Sequence, residues 1–222
     1  WAEGVRCSSV GLPSDPVLKE ALLALNEGLT LSPDSIRGLY YRALTCRAMG
    51  DRSEARRDLD RAITLDPGNL GCLVARGLLR YETGDPSGAI EDYSTVIGLQ
   101  PGLAAVWSNR AQAKRALRDM EGAIQDLDKA IELDAGQPGP WVNRSAAKRA
   151  KGDLDGAVGD ASRAIQLDGS HPGAWLNRGN AKLDQKDLSG AIADWEKFVE
   201  LAPAHPYAPQ VRADIDRVRA LM

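Results

Sequence analysis

The sequence predicts an all-α solenoid of stacked helix–turn–helix units. Three observations predict it. A repeat of 34 residues runs through most of the 222-residue chain. Within each repeat, apolar and small residues recur at helical spacing on two short segments. A short carboxylate recurs where the second segment begins, the place where a side-chain oxygen caps free backbone N–H groups. The dipeptides Gly50-Asp51, Gly84-Asp85, Arg118-Asp119, Gly152-Asp153 and Lys186-Asp187 mark the repeat, each 34 residues from the last with no insertion.

The chain divides into a half-unit at 1–35, five complete units at 36–69, 70–103, 104–137, 138–171 and 172–205, and a terminal helix at 206–222. Pro16 to Leu31 matches a second helix, with Ala21, Leu25 and Gly28 on its packing columns. Trp1 to Val10 reads as a poor or shortened first helix, broken from it at Gly11–Ser14. Ala55, Ala89, Ala123, Ala157 and Ala191 form one column of the full units. Ile63, Ile97, Ile131, Ile165 and Val199 form another, and Leu65, Leu99, Leu133, Leu167 and Leu201 a third. Trp107, Trp141 and Trp175 align in the first helices, followed four residues later by Ala111, Ser145 and Gly179. The last full unit carries Trp195 and Phe198 where the preceding one has Ala161 and Ala164, an enlargement suited to receiving a cap. Tyr207 to Met222 supplies that cap, with Val211, Ile215, Val218 and Leu221 on one face and charges on the other.

These residues resemble the tetratricopeptide repeat, a 34-residue unit reading W-x3-G/A, then Ala, then a large residue, then Pro. The resemblance covers about three quarters of the chain. It implies a right-handed superhelix, continuous along the chain, whose concave groove is lined by the first helices. It also implies a non-catalytic role in holding a protein or peptide ligand.

The chain departs from the family at the seventh place of each unit, where the family has Leu. Here stand Arg42, Arg76, Arg110, Arg144 and Arg178, accompanied by Asp58, Asp92, Asp126, Asp160 and Asp194 on the second helices. Recurring together, they predict either an ionic ladder that sets register between helices or an Arg stripe facing a ligand.

The groove positions implied by the resemblance differ along the chain. The early units offer Tyr40, Tyr41, Leu44, Leu78 and Tyr81, an apolar and aromatic patch. The later units offer Asn109, Asn143, Asn177, Asn180 and Gln112, flanked by Arg115 and Arg149. A side-chain amide both donates and accepts, so a row of them suits an extended peptide backbone. The two Arg suit an acidic side chain or a C-terminal carboxylate. The alternative is that the Asn bond neighbouring helices and the Arg are solvated. The carboxylate clamp known in the family needs Lys at the fifth place of a unit; Tyr40, Val74, Ser108, Val142 and Leu176 stand there, so chaperone-tail binding is not expected.

Composition narrows the partners. The net charge of -3 gives no reason to expect nucleic acid, and no apolar run approaches a membrane span. Cys7, Cys46 and Cys72 fit neither a zinc site nor a disulfide framework. They read as reduced structural thiols, which favours the cytoplasm while leaving the compartment open. His171 and His205 fall at unit ends beside Pro172 and Pro206 and read as turn residues, so no catalytic, metal or cofactor site is expected. A chain that starts at Trp1 is expected to be a fragment or a processed product, and a composition rich in Ala, Arg, Gly and Asp leans towards a longer bacterial protein. The leading expectation is a protein-interaction scaffold. Its alternatives are a self-assembling array and a regulatory module of a larger enzyme.

Overall fold

The computed structural model describes residues 15–222, in which twelve α-helices and no strand occur. The first-helix segment expected at Trp1–Val10 and the break at Gly11–Ser14 lie outside the described residues. The chain falls into two compact units, Trp1–Pro101 and Gly102–Met222.

The first unit contains α1 (Pro16–Leu31), α2 (Ile36–Ala48), α3 (Arg52–Leu65), α4 (Leu70–Glu82) and α5 (Pro86–Leu99). The second contains α6 (Ala104–Ala116), α7 (Met120–Leu133), α8 (Pro138–Lys151), α9 (Leu154–Leu167), α10 (Pro172–Asp184), α11 (Leu188–Leu201) and α12 (Ala208–Arg219). The pairs α2–α3, α4–α5, α6–α7, α8–α9 and α10–α11 are the five helix–turn–helix repeats.

Each repeat turns the same way for the same reason. The carboxylates of Asp51, Asp85, Asp119, Asp153 and Asp187 accept from the backbone N–H three residues on, at 2.8–3.0 Å. The residue before each Asp lies in the left-handed region: Gly50, Gly84 and Gly152 at φ 84–88°, Arg118 at 65° and Lys186 at 67°. Glycine adopts that conformation without a Cβ penalty; Arg118 and Lys186 do not.

The core is built from small residues that let helices approach. Ala55, Ala89, Ala123, Ala157 and Ala191 are completely buried. Where the second helix carries a large ring, the first carries glycine. A Cβ on Gly77 would stand 2.7 Å from Tyr93 Cε1, and one on Gly179 would stand 2.6 Å from Trp195 Cδ1. Elsewhere Ala43 faces a unit with Leu59, and Ala111 one with Leu127, so volume is traded between the two columns. The Leu column behaves differently. Leu65, Leu99 and Leu133 end their helices 37–57% exposed rather than in the core.

The terminal helices correct two details of register. In α1 the buried residues are Leu22 and Leu29, with Ala21 and Leu25 half-buried and Gly28 exposed. Leu22 and Leu29 occupy the face that meets the following repeat, and the described neighbour of α1 is α2. A Cβ on Gly38 of α2 would stand 2.9 Å from Leu29 Cδ2. At the other end, α12 closes at Arg219, so Leu221 is 72% exposed and lies off the packing face. Val211, Ile215 and Val218 are buried in one cluster with Trp195 and Phe198, which is what the enlarged residues of α11 are for.

Candidate functional site

The faces on which a ligand could sit are supported by an ionic frame. Every Arg of the seventh-place column donates both Nε and Nη2 to the Asp sixteen residues on. The pairs are Arg42–Asp58, Arg76–Asp92, Arg110–Asp126, Arg144–Asp160 and Arg178–Asp194, at 2.6–3.0 Å. This bidentate geometry joins the two helices of each repeat. The remaining Nη1 reaches back to the preceding second helix: Arg42 to Asn26, Arg76 to Asp60, Arg144 to Asp128 and Arg178 to Ser162, at 2.6–3.3 Å. The guanidinium carbons of Arg110, Arg144 and Arg178 also stand 4.8 Å above the rings of Trp107, Trp141 and Trp175. With Nε and Nη2 of all five Arg engaged on the Asp column, the guanidinium column serves the ladder.

The same Asp takes a second cation that the sequence pattern did not reveal as a partner. Lys114, Lys148 and Lys182 each stand 2.9 Å from it, and Arg80 stands 3.2 Å away. Unit 36–69 lacks that cation because Cys46 takes its place. There the buried Glu54 stands 2.6 Å from Arg57 and 4.0 Å from Arg42. Burial pushes the Glu54 carboxyl above its usual range.

Within the second unit, the expected ligand residues lie on α6, α8 and α10. Asn109 and Asn143 are half-buried, and their side-chain amides have no hydrogen-bond partner among the described residues. Asn177 differs: its Nδ2 donates to the Val142 carbonyl at 3.0 Å, tying α10 to α8. Asn180 accepts from Trp195 Nε1 at 3.0 Å. Arg149 is paired with Asp184, through Nε at 2.6 Å and Nη2 at 3.4 Å. Arg115 and Gln112 are half-buried, and Arg115 Nε is buried without a hydrogen bond. The acid that neutralises Arg149 lies 35 residues further on, and the residue 35 after Arg115 is Ala150. Among the described residues, Arg149 is therefore committed to an acid of the chain and Arg115 is not.

Within the first unit, Arg47 repeats the Arg149 arrangement. Its Nε donates to Glu82 at 2.9 Å, again across 35 residues, and this holds the Glu82 carboxyl below its usual range. That spacing is readable in the sequence once the partner column is known. Tyr40 and Tyr41 meet edge to face, with centroids 5.4 Å apart, and Tyr41 is 45% exposed. Tyr81 is half-buried on α4.

Among the described residues, no group of three or more His, Cys, Asp or Glu is arranged to hold a metal ion, and no helix is long and apolar enough to cross a membrane.

Comparisons with known proteins bear on the fold. No curated protein matches the sequence. Solved structures match at low identity. PilF of Pseudomonas aeruginosa is 16% identical with a TM-score of 0.75, covering 89% of this chain and 90% of its own. MamA of Desulfovibrio magneticus RS-1 is 16% identical with a TM-score of 0.69, covering 78% and 98%. YrrB, a TPR protein with an unusual peptide-binding site, is 15% identical with a TM-score of 0.65, covering 86% and 98%. The tetratricopeptide repeat family matches over residues 36–69, 74–138 and 144–209. With the repeat period, the paired helices and these matches in agreement, the chain belongs to the tetratricopeptide repeat family.

Proposed function

We propose that the protein is a non-catalytic interaction scaffold, and that its second unit holds an extended peptide bearing an acidic group. The observation that carries this reading is the set of polar groups left without partners on α6 and α8. Among the described residues, the side-chain amides of Asn109 and Asn143 have no hydrogen-bond partner, and the half-buried Arg115 guanidinium has no carboxylate. Arg115 Nε is buried without a partner, which costs stability unless something else satisfies it, whereas the two amides are within reach of water and remain available to a ligand. A peptide backbone would satisfy the amides and a carboxylate would satisfy Arg115. Gln112 lies one turn from Arg115 on the same helix. Asn177, Asn180 and Arg149 contribute what their internal bonds leave over. Tyr41 and Tyr81, on the first unit, would make a ligand contact of their own, apart from the second unit's site. YrrB, a relative in fold, has a peptide-binding site, which is consistent with the reading.

The test is selection of binders from a displayed random-peptide library, repeated with the Asn109→Ala/Asn143→Ala variant. The expected result is enrichment by the wild-type protein and its loss in the folded variant. Undiminished binding to the folded variant contradicts the assignment.

A second reading, self-assembly, is favoured by the exposed apolar residues of α1: Val17, Leu23 and Leu31 are 64–87% exposed. Light scattering decides it, since a mass independent of concentration at one chain removes it.

A further inference from the structure

We infer that the first unit carries a separate pocket for an aromatic side chain that lies next to a carboxylate in a peptide; it rests on the preceding reading only in taking the ligand to be a peptide. A cavity of about 470 Å³ opens between the starts of α2 and α4, lined by Ile36, Arg37, Tyr40, Tyr41, Asn69 and Gly71. It is open to solvent, so it suits a single side chain and does not enclose a whole ligand.

Each lining residue has a distinct part. The two tyrosines form an aromatic corner with their ring planes 67° apart, an arrangement against which a third ring can pack edge to face. Asn69 is a fixed wall: its Oδ1 accepts from Cys72 N–H at 3.1 Å and its Nδ2 donates to Asp66 at 3.2 Å. Gly71 keeps the cavity open. A Cβ there would stand 3.6 Å from Tyr40 Cε2, in ordinary contact, and a longer side chain would occupy the space beyond.

Arg37 decides the charge of the occupant. Its guanidinium lies 5.6 Å from the Tyr41 ring centroid at the pocket rim. No carboxylate pairs with it among the described residues, whereas Arg42 and Arg47 of the same helix are paired with Asp58 and Glu82. Arg37 also stands in the first turn of α2, where the helix dipole adds positive potential. An apolar corner with one uncompensated cation fits an aromatic residue flanked by Asp or Glu.

The test is an NMR titration of the whole protein with acetyl-Glu-Phe-amide, and in parallel with acetyl-Gln-Phe-amide. Saturable shifts are expected at Arg37, Tyr41 and Gly71, with binding of the Gln peptide weaker by up to about fivefold, the scale of an exposed charge pair. Gly71→Leu, a favourable residue in a helix, is expected to abolish the shifts while circular dichroism stays unchanged. Arg37→Gln is expected to remove the preference for Glu. Absence of shifts at these residues, or shifts that persist in Gly71→Leu, overturns the pocket. If displayed peptides still bind through Asn109 and Asn143 in that event, the pocket alone fails; if they do not, the peptide-scaffold reading fails with it.

Discussion

Asp126 holds two cations at once, Arg110 at 2.8 Å and Lys114 at 2.9 Å, while being 3% exposed itself. A charge this deep is maintained by its partners, and the partners by it. Asp126→Ala removes the carboxylate that two half-buried cations share. Urea unfolding is expected to show a loss of about 3–5 kcal/mol, the scale of breaking a buried pair from one side. A stability within experimental error of the wild type contradicts the ladder. Glu54 is the opposite case. Its raised carboxyl means that the folded protein binds its proton more tightly than the unfolded chain does. Stability is therefore lost as pH rises from the ordinary carboxyl value of 4.5 through the raised one. Glu54→Gln is expected to melt higher than the wild type at pH 7–8, the advantage shrinking towards pH 4. A variant less stable at neutral pH would mean that the Arg57 contact outweighs burial.

At the scale of the element, the turns were the most legible part of the chain. Asp51 and its four counterparts could be read as caps because capping depends on one residue and its nearest backbone. The Arg–Asp pairs were legible for a similar reason: both partners lie inside one repeat, at a constant separation of sixteen residues. What escaped depended on neighbours. The bond from Asn177 to Val142 and the pairing of Arg149 with Asp184 join successive repeats, and nothing in one unit's pattern announces them. The register of α1 escaped because Leu22 and Leu29 are selected by the helix that follows, while Ala21 and Leu25 are set by analogy with complete units. Arg118 and Lys186 occupy left-handed positions taken by glycine in the other three turns. Arg118→Gly and Lys186→Gly are each expected to raise stability by up to about 1 kcal/mol, because removing Cβ strain there exceeds glycine's entropic cost. Thermal melts of the single variants check this, and a lower melting temperature in both contradicts it.

For the molecule as a whole, the exchange of a family Leu for Arg changes how the repeats are held. The ladder ties each pair of helices by directional bonds, and Ala and Gly columns let the helices approach. With its charges consumed in this way, the protein keeps few unspent polar groups on its first helices. Those few are where the functional argument stands. The comparison of Arg115 with Arg149 tests it most directly, because the two are equivalent by repeat and differ in whether an acid of the chain neutralises them. Peptides selected by the wild-type protein are to be measured for affinity against Arg115→Gln and Arg149→Gln. The account predicts enrichment of acidic peptides whose affinity falls about tenfold or more in Arg115→Gln, the 1.5–3 kcal/mol scale of a hydrogen bond to a charged group, and changes little in Arg149→Gln. Equal losses in both variants, or selected peptides without acidic residues, would contradict it.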